Sequence, residues 1–213
     1  MNQSEKYNPE LEEAQEQVEY SFAFHPYNVI LTLVLFSITA LFLAFSAAFI
    51  YSRVMSNQPP IKLPSLFLFN TIILLGSSAT LVWAKRCYKK DDTKGYQRAL
   101  LYTLILSFLF LFMQIAAWAQ LFSQDIFINS DTSAGYLYVI SIMHFMHLVG
   151  GIPFLIVFLW KAYKRMKEPV SVLVYFSDPD KLLRLRLLTV YWHFLDGLWI
   201  YLIIFFFINY LIK

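Results

Sequence analysis

Leu187–Ile212 reads LLTVYWHFLDGLWIYLIIFFFINYLI, an apolar run broken by one charge, Asp196. A helix needs about 20 such residues to cross the hydrocarbon of a bilayer. No alternation of period two persists through the run, and it is about twice as long as a barrel strand, so it reads as a helix. A helix also satisfies every backbone polar group within its own segment, which lipid demands. Working outward, Val29–Tyr51, Pro64–Ala84, Ala99–Phe122 and Tyr136–Trp160 have the same character and no formal charge. The sequence therefore predicts an all-α, polytopic membrane protein with five transmembrane helices.

Composition agrees. Of 213 residues, 59% are hydrophobic and 15% charged, against about 25% charged in a soluble domain. That much apolar surface does not fit inside one water-soluble core. Disorder and a disulfide scaffold are excluded with the soluble domain. Cys87 is the single cysteine, so neither an internal disulfide nor a CxxC site is possible.

Charge placement sets an orientation. Of 17 Lys and Arg, six lie in the 85–98 loop, seven in the 161–186 loop and one, Lys6, in the N-terminal tail. In a five-span chain these share one side. Only Arg53, Lys62 and Lys213 fall on the other. The positive-inside rule places the N-terminus inside and the C-terminus outside. The reading divides the chain into an acidic cytoplasmic segment, 1–28, and a single transmembrane domain, 29–213. The segment holds Glu5, Glu10, Glu12, Glu13, Glu16 and Glu19 against Lys6, the opposite sign to a secretory signal. Leu11, Ala14 (or Gln15), Val18 and Phe22 recur at helical spacing. A short amphipathic helix docking on a partner protein and a solvated tail are both open readings.

Polar groups inside the spans are costly, and each is a candidate site. His193 and Asp196 lie three apart on one helix face. A carboxylate there could orient one imidazole nitrogen. That suits a proton relay, a lipid headgroup site, or a buried pair locking the helix to a neighbour. His144, His147 and Gly151 form one stripe of the fourth span. Pro153 follows, freeing the Val149 carbonyl, so a kink or close helix approach is expected. Two His alone are a weak metal signal, because a metal needs three or four ligands and lipid otherwise offers only His193 and Asp196. Ser37, Ala40, Ala44 and Ala47 (or Ala48) make a small-residue seam. Gly76, Ser77, Ser78, Ala79 and Thr80 cluster in the second span. Asn70 and Gln114 read as interhelical glue. Trp83, Trp118, Trp160, Tyr51, Tyr136 and Tyr138 stand toward span ends, as interface anchors do. Walker, GxGxxG, HExxH and GxSxG motifs are absent from the sequence. No inverted repeat of a transporter is visible. The basic loops are explained by topology and give no case for nucleic acid.

Together these residues resemble a known family. Tyr191-Trp192-His193-Phe194-x-Asp196-x-x-Trp199 is similar to the YWHFxDxxW signature in the last helix of subunit III of haem-copper terminal oxidases. His144-x-x-His147 with Gly151 is similar to the HGLHVxxG segment of the helix before it. Pro64, Asn70-Thr71, Ser77-Ser78, Thr80 and Trp83-Ala84 resemble a third family helix, and Gln114 fits a fourth. The likeness runs over about residues 29–212, in the five-span form of shorter bacterial members. Two positions depart from it: Ala40 and Ala117 stand where the family commonly has carboxylates, so no carboxylate role operates there. His144-Phe-Met-His147 also replaces Gly-Leu with bulkier residues.

The resemblance implies a non-catalytic subunit of an oxidase that reduces oxygen to water and pumps protons, in the bacterial inner membrane. It implies no redox centre in this chain, with haem and copper in partner subunits. The whole sequence offers four His and one Cys, fewer ligands than a haem-copper core and a dinuclear copper site need. Implied partners are catalytic subunit I, subunit II, other small subunits and phospholipids, and a respiratory supercomplex is compatible. The fold implied has two helix groups, two spans and three, with a lipid cleft between them. Candidate lipid-binding or structural polar residues are Trp83, Lys85, Arg98, His144, His147, Lys161, Trp192, His193 and Asp196. A membrane cytochrome or metal protein using His144, His147 and His193, a small transporter, and a structural subunit of another respiratory assembly are the alternatives.

Overall fold

A computed structural model describes residues 26–56, 64–166 and 168–211, the side chains of residues 169 and 170 apart. Nearly all of the acidic N-terminal segment, with its expected helix, lies outside the described residues. The elements are α1 (Pro26–Ser56), α2 (Ser65–Tyr88), α3 (Thr93–Phe122), α4 (Thr132–Arg165), α5 (Pro169–Phe176) and α6 (Pro179–Leu211). All except α5 are long and apolar enough to cross a membrane. No strand occurs among the described residues. The protein is a multi-pass, all-α membrane protein.

Helix ends follow local chemistry. The Asp92 carboxylate caps α3 by accepting from the Gly95 N–H, and Asp131 caps α4 by accepting from Ala134. Proline opens α1, α5 and α6, where its missing donor costs nothing. Asp91 takes a left-handed φ of 54° to turn the chain from α2 into α3. The helices outrun the apolar segments that predict them. The basic stretch 85–98 is mostly helix, with only residues 89–92 forming the turn. Residues 161–186 hold the end of α4, all of α5 and the start of α6. Long Lys and Arg stems allow this, reaching water from helical turns at the hydrocarbon edge.

The chain divides into two compact units at Ala40/Leu41, inside α1. In the first, Thr32, Ser37 and Thr39 turn their hydroxyls onto carbonyls of their own helix, four residues back. Leu33 and Phe36 face outward, as lipid-facing side chains do. In the second unit, the rest of α1 meets α4 and α6. Phe49 packs edge-on against Tyr136, Phe205 and Phe206. Tyr201 donates to Ser46 at 3.0 Å, and the Arg53 guanidinium donates to the Asn209 carbonyl. α2 lies along α3, and α6 packs against both α2 and α4.

Candidate functional site

The centre of the second unit is the stripe of α6 formed by Trp192, Leu195, Asp196, Trp199, Leu202, Ile203 and Phe206, all buried. Its spacing is that of one helix face. Both of its indoles bond to hydroxyls of α2. Trp192 is fully buried, and its indole N–H donates to the Ser77 hydroxyl at 3.2 Å. Trp199 donates to Thr71 at 3.2 Å. A buried indole needs such a partner. The Trp199 ring also stacks on Phe67 of α2, at 5.7 Å and 6°. It meets Phe110 of α3 edge-on at 5.2 Å, and the His144 ring of α4 lies 5.0 Å away. One side chain thus joins four helices.

Gly151 permits the close approach of α4 to α6. A Cβ there would stand 2.9 Å from the Tyr191 ring and 3.0 Å from the Trp192 ring, tighter than side chains tolerate. Tyr191 in turn donates to the His147 carbonyl at 2.8 Å. The close approach expected from the glycines and Pro153 is therefore real, and it is at Gly151. Nothing stands within 4 Å of where a Gly150 Cβ would be.

His193 and Asp196 differ from their expected pairing. The His193 Nδ1 lies 2.6 Å from the Ser78 hydroxyl on α2. Its distance to the Asp196 carboxylate is 3.9 Å, too long for a hydrogen bond. Asp196 is buried, and neither of its oxygens has a hydrogen-bond partner among the described residues. Helix geometry brings the two side chains to one face, but the neighbouring helix supplies a nearer hydroxyl.

His144 and His147 also part company. His144 is fully buried between Phe110 and Trp199, and neither ring nitrogen is bonded among the described residues. His147 turns Nδ1 to the Met143 carbonyl at 2.6 Å and lies beside Phe42. No three His, Cys, Asp or Glu among the described residues come together as a metal would require. The amides do meet: Asn70 donates to Gln114 at 3.0 Å, joining α2 and α3 in a buried place. Thr80 and Thr103 join the same helices at 2.9 Å.

The sequence that packs in this way matches a known family. The Cytochrome c oxidase subunit III family profile matches residues 22–210. The chain belongs to the cytochrome c oxidase subunit III family. It is 28% identical to cytochrome c oxidase subunit 3 of Papio hamadryas over 145 residues, 68% of this chain and 49% of that protein. The cyanobacterial proteins of the same name align further. The Synechocystis protein is 28% identical over 84% of this chain and 75% of its own length. The Thermostichus vulcanus protein is 27% identical over 84% and 86%. The chain thus spans about half the length of the animal relatives it matches and three quarters or more of the cyanobacterial ones.

The other residues singled out as subunit III candidates lie at the basic end. Trp83 is 40% exposed and stacks on Tyr102. Lys85 is half-buried and Arg98 exposed. Lys161 lines a cavity between the end of α4, α5 and the start of α6. Sequence reasoning did not single out Phe67, Phe110 or Tyr191 as contact residues, nor Thr71 as the partner of Trp199. The hydroxyls carried a signal: Thr71 and Ser78 are seven apart and so lie on one helix face, which meets α6. The aromatic partners carried none, since Phe occurs at 21 positions in this chain.

Proposed function

We propose that this chain is a non-catalytic subunit III of a haem-copper terminal oxidase in a bacterial inner membrane. It packs on catalytic subunit I, with subunit II and smaller subunits as further neighbours. In this reading the partners hold the haem and copper and carry out oxygen reduction and proton pumping. This chain stabilises the catalytic subunit and supports proton uptake. The family match over residues 22–210 carries the reading. The N-terminus lies inside, because the basic residues crowd the ends of α2, α4 and α6 that share one side. A lipid cleft between helix groups belongs to the same proposal, as do a docking role for the acidic segment 1–28 and the single transmembrane domain 29–213.

The nine candidate residues take two roles. His144, His147, Trp192, His193 and Asp196 hold helices together at membrane depth. Trp83, Lys85, Arg98 and Lys161, at the basic rim, meet phospholipid headgroups. Affinity purification of the tagged chain from its own membranes tests the assignment. Co-purification of a complex with haem-copper oxidase absorption is expected. Stoichiometric haem or metal on the isolated chain, or a partner lacking haem and copper, would overturn it.

A further inference from the structure

One face of α6 stays open. Val190, His193, Gly197, Ile204 and Ile208 recur at spacings of three, four, seven and four and all reach the surface. Such spacing makes the seam along which a second helix packs. The valine and isoleucines would suit lipid equally well, but His193 would not. It stands inside an apolar run, with its side chain 37% exposed. Its Nδ1 meets the Ser78 hydroxyl at 2.6 Å, and Asp196 lies 3.9 Å from the same atom. The other ring nitrogen, Nε2, reaches the surface and bonds nothing among the described residues. Hydrocarbon offers it no partner.

Gly197 stands one turn along the same face. Nothing lies within 4 Å of where its Cβ would be, so no contact inside this chain requires a glycine there, as one does at Gly151. A missing side chain beside an unmet polar group lets a neighbouring helix approach closely and be held by a hydrogen bond. Gly150 of α4 is equally open, but it stands between exposed Met146 and Phe154, which lipid satisfies. We propose that a transmembrane helix of a partner protein lies along this face of α6. It bonds His193 Nε2 through a hydroxyl or amide side chain and seats an apolar side chain against Gly197. A hydroxyl or amide both donates and accepts, so it serves whichever tautomer the Ser78 contact fixes. A charged group would be costly at this depth. The proposal rests on the reading above only in that the chain is one member of a membrane complex.

The test places a photoreactive benzophenone side chain at Val190 or Ile204 of the tagged, full-length chain, irradiates it in its own membranes and reads the adducts by mass spectrometry. The two positions stand about 21 Å apart along the helix. Both are expected to join one transmembrane segment of another protein, with Ser, Thr, Asn or Gln in the turn facing His193. The same probe at Phe112, exposed on α3, should not reach that segment. Gly197→Leu should lower retention of that protein about tenfold, while the helicity and unfolding temperature of the purified chain stay those of wild type. Gly150→Leu should leave retention unchanged, and His193→Leu should lower it about threefold. Adducts with lipid alone, with a second copy of this chain, or with a segment lacking such a polar residue would overturn the proposal. So would equal retention in the two glycine variants. The adducts decide should Gly197→Leu lose helicity. A joined protein without haem or copper sinks the oxidase reading and leaves this one standing, and an oxidase kept equally by both glycine variants does the reverse.

Discussion

The polar groups of the α2–α3–α4–α6 junction and those of the basic end are treated in opposite ways. At the junction, Trp192, Trp199, Tyr191, Asn70 and His193 each bond a named partner on another helix. At the basic end, Lys161, Arg165 and Arg184 line a hollow without an ion pair among the described residues. The difference is one of solvent. Hydrocarbon offers no hydrogen bonds, so groups placed there need partners within the protein. At the membrane surface, water and headgroups serve instead. Asp196 and His144 depart from this pattern: both are buried at the junction with no hydrogen-bond partner among the described residues.

The sharpest way to break this comparison is Trp192→Ala. It removes a fully buried indole and its bond to Ser77. A loss of about 3–5 kcal/mol is expected, read as a large fall in thermal unfolding temperature in detergent. Gly151→Ala comes next. Its new Cβ meets the Tyr191 and Trp192 rings, and an overpacking cost of about 1–3 kcal/mol is expected. A variant as stable as wild type would show that α4 and α6 are not held in close contact.

A smaller effect is expected of a double-mutant cycle on Asn70→Leu and Gln114→Leu, with a coupling of about 0.6–1.7 kcal/mol. A coupling near zero would mean that each amide finds another partner. His193→Leu, which removes the imidazole bonded to Ser78, should shorten the active lifetime of the assembled oxidase and leave its haem absorption unchanged. Loss of the haem spectrum from assembled complex would place His193 nearer the chemistry than proposed.

The smallest effect belongs to the basic end. The Lys181 ammonium bonded to Asp178 holds that carboxyl below its ordinary range. A depressed carboxyl stabilises the fold at pH values above the unfolded value, and that contribution is lost as pH falls through the folded one. Asp178→Asn should abolish this acid-side dependence and change little at neutral pH. A marked loss of stability at neutral pH would show that this partly exposed pair supports the corner more than surface pairs do.

Much of this was legible in the sequence. Five apolar runs with one charge gave the spans, because lipid demands length and apolarity and little else. Asn70 and Gln114 were readable as glue, since an amide at that depth has few other uses. The short helix α5 was not readable: eight residues of nearly uniform apolarity, PVSVLVYF, carry no period that separates helix from buried strand. The ends of the spans were also short of the real helices, because hydropathy marks the hydrocarbon and not the hydrogen-bonded turns beyond it.

The sequence alone determined that five apolar runs are long enough to cross a membrane, that the positive charge gathers in two of the segments between them, and that one stretch of α6 concentrates the aromatic and ionisable groups. Tertiary structure alone decided which partner each group takes. His193 turns to Ser78 and not to Asp196, Gly151 and not Gly150 is the point of contact, and Arg165 and Arg184 join Lys161 around one cavity. Spacing along one helix fixes the face a side chain shares, while its partner is set by the rotation and offset of the helix across from it.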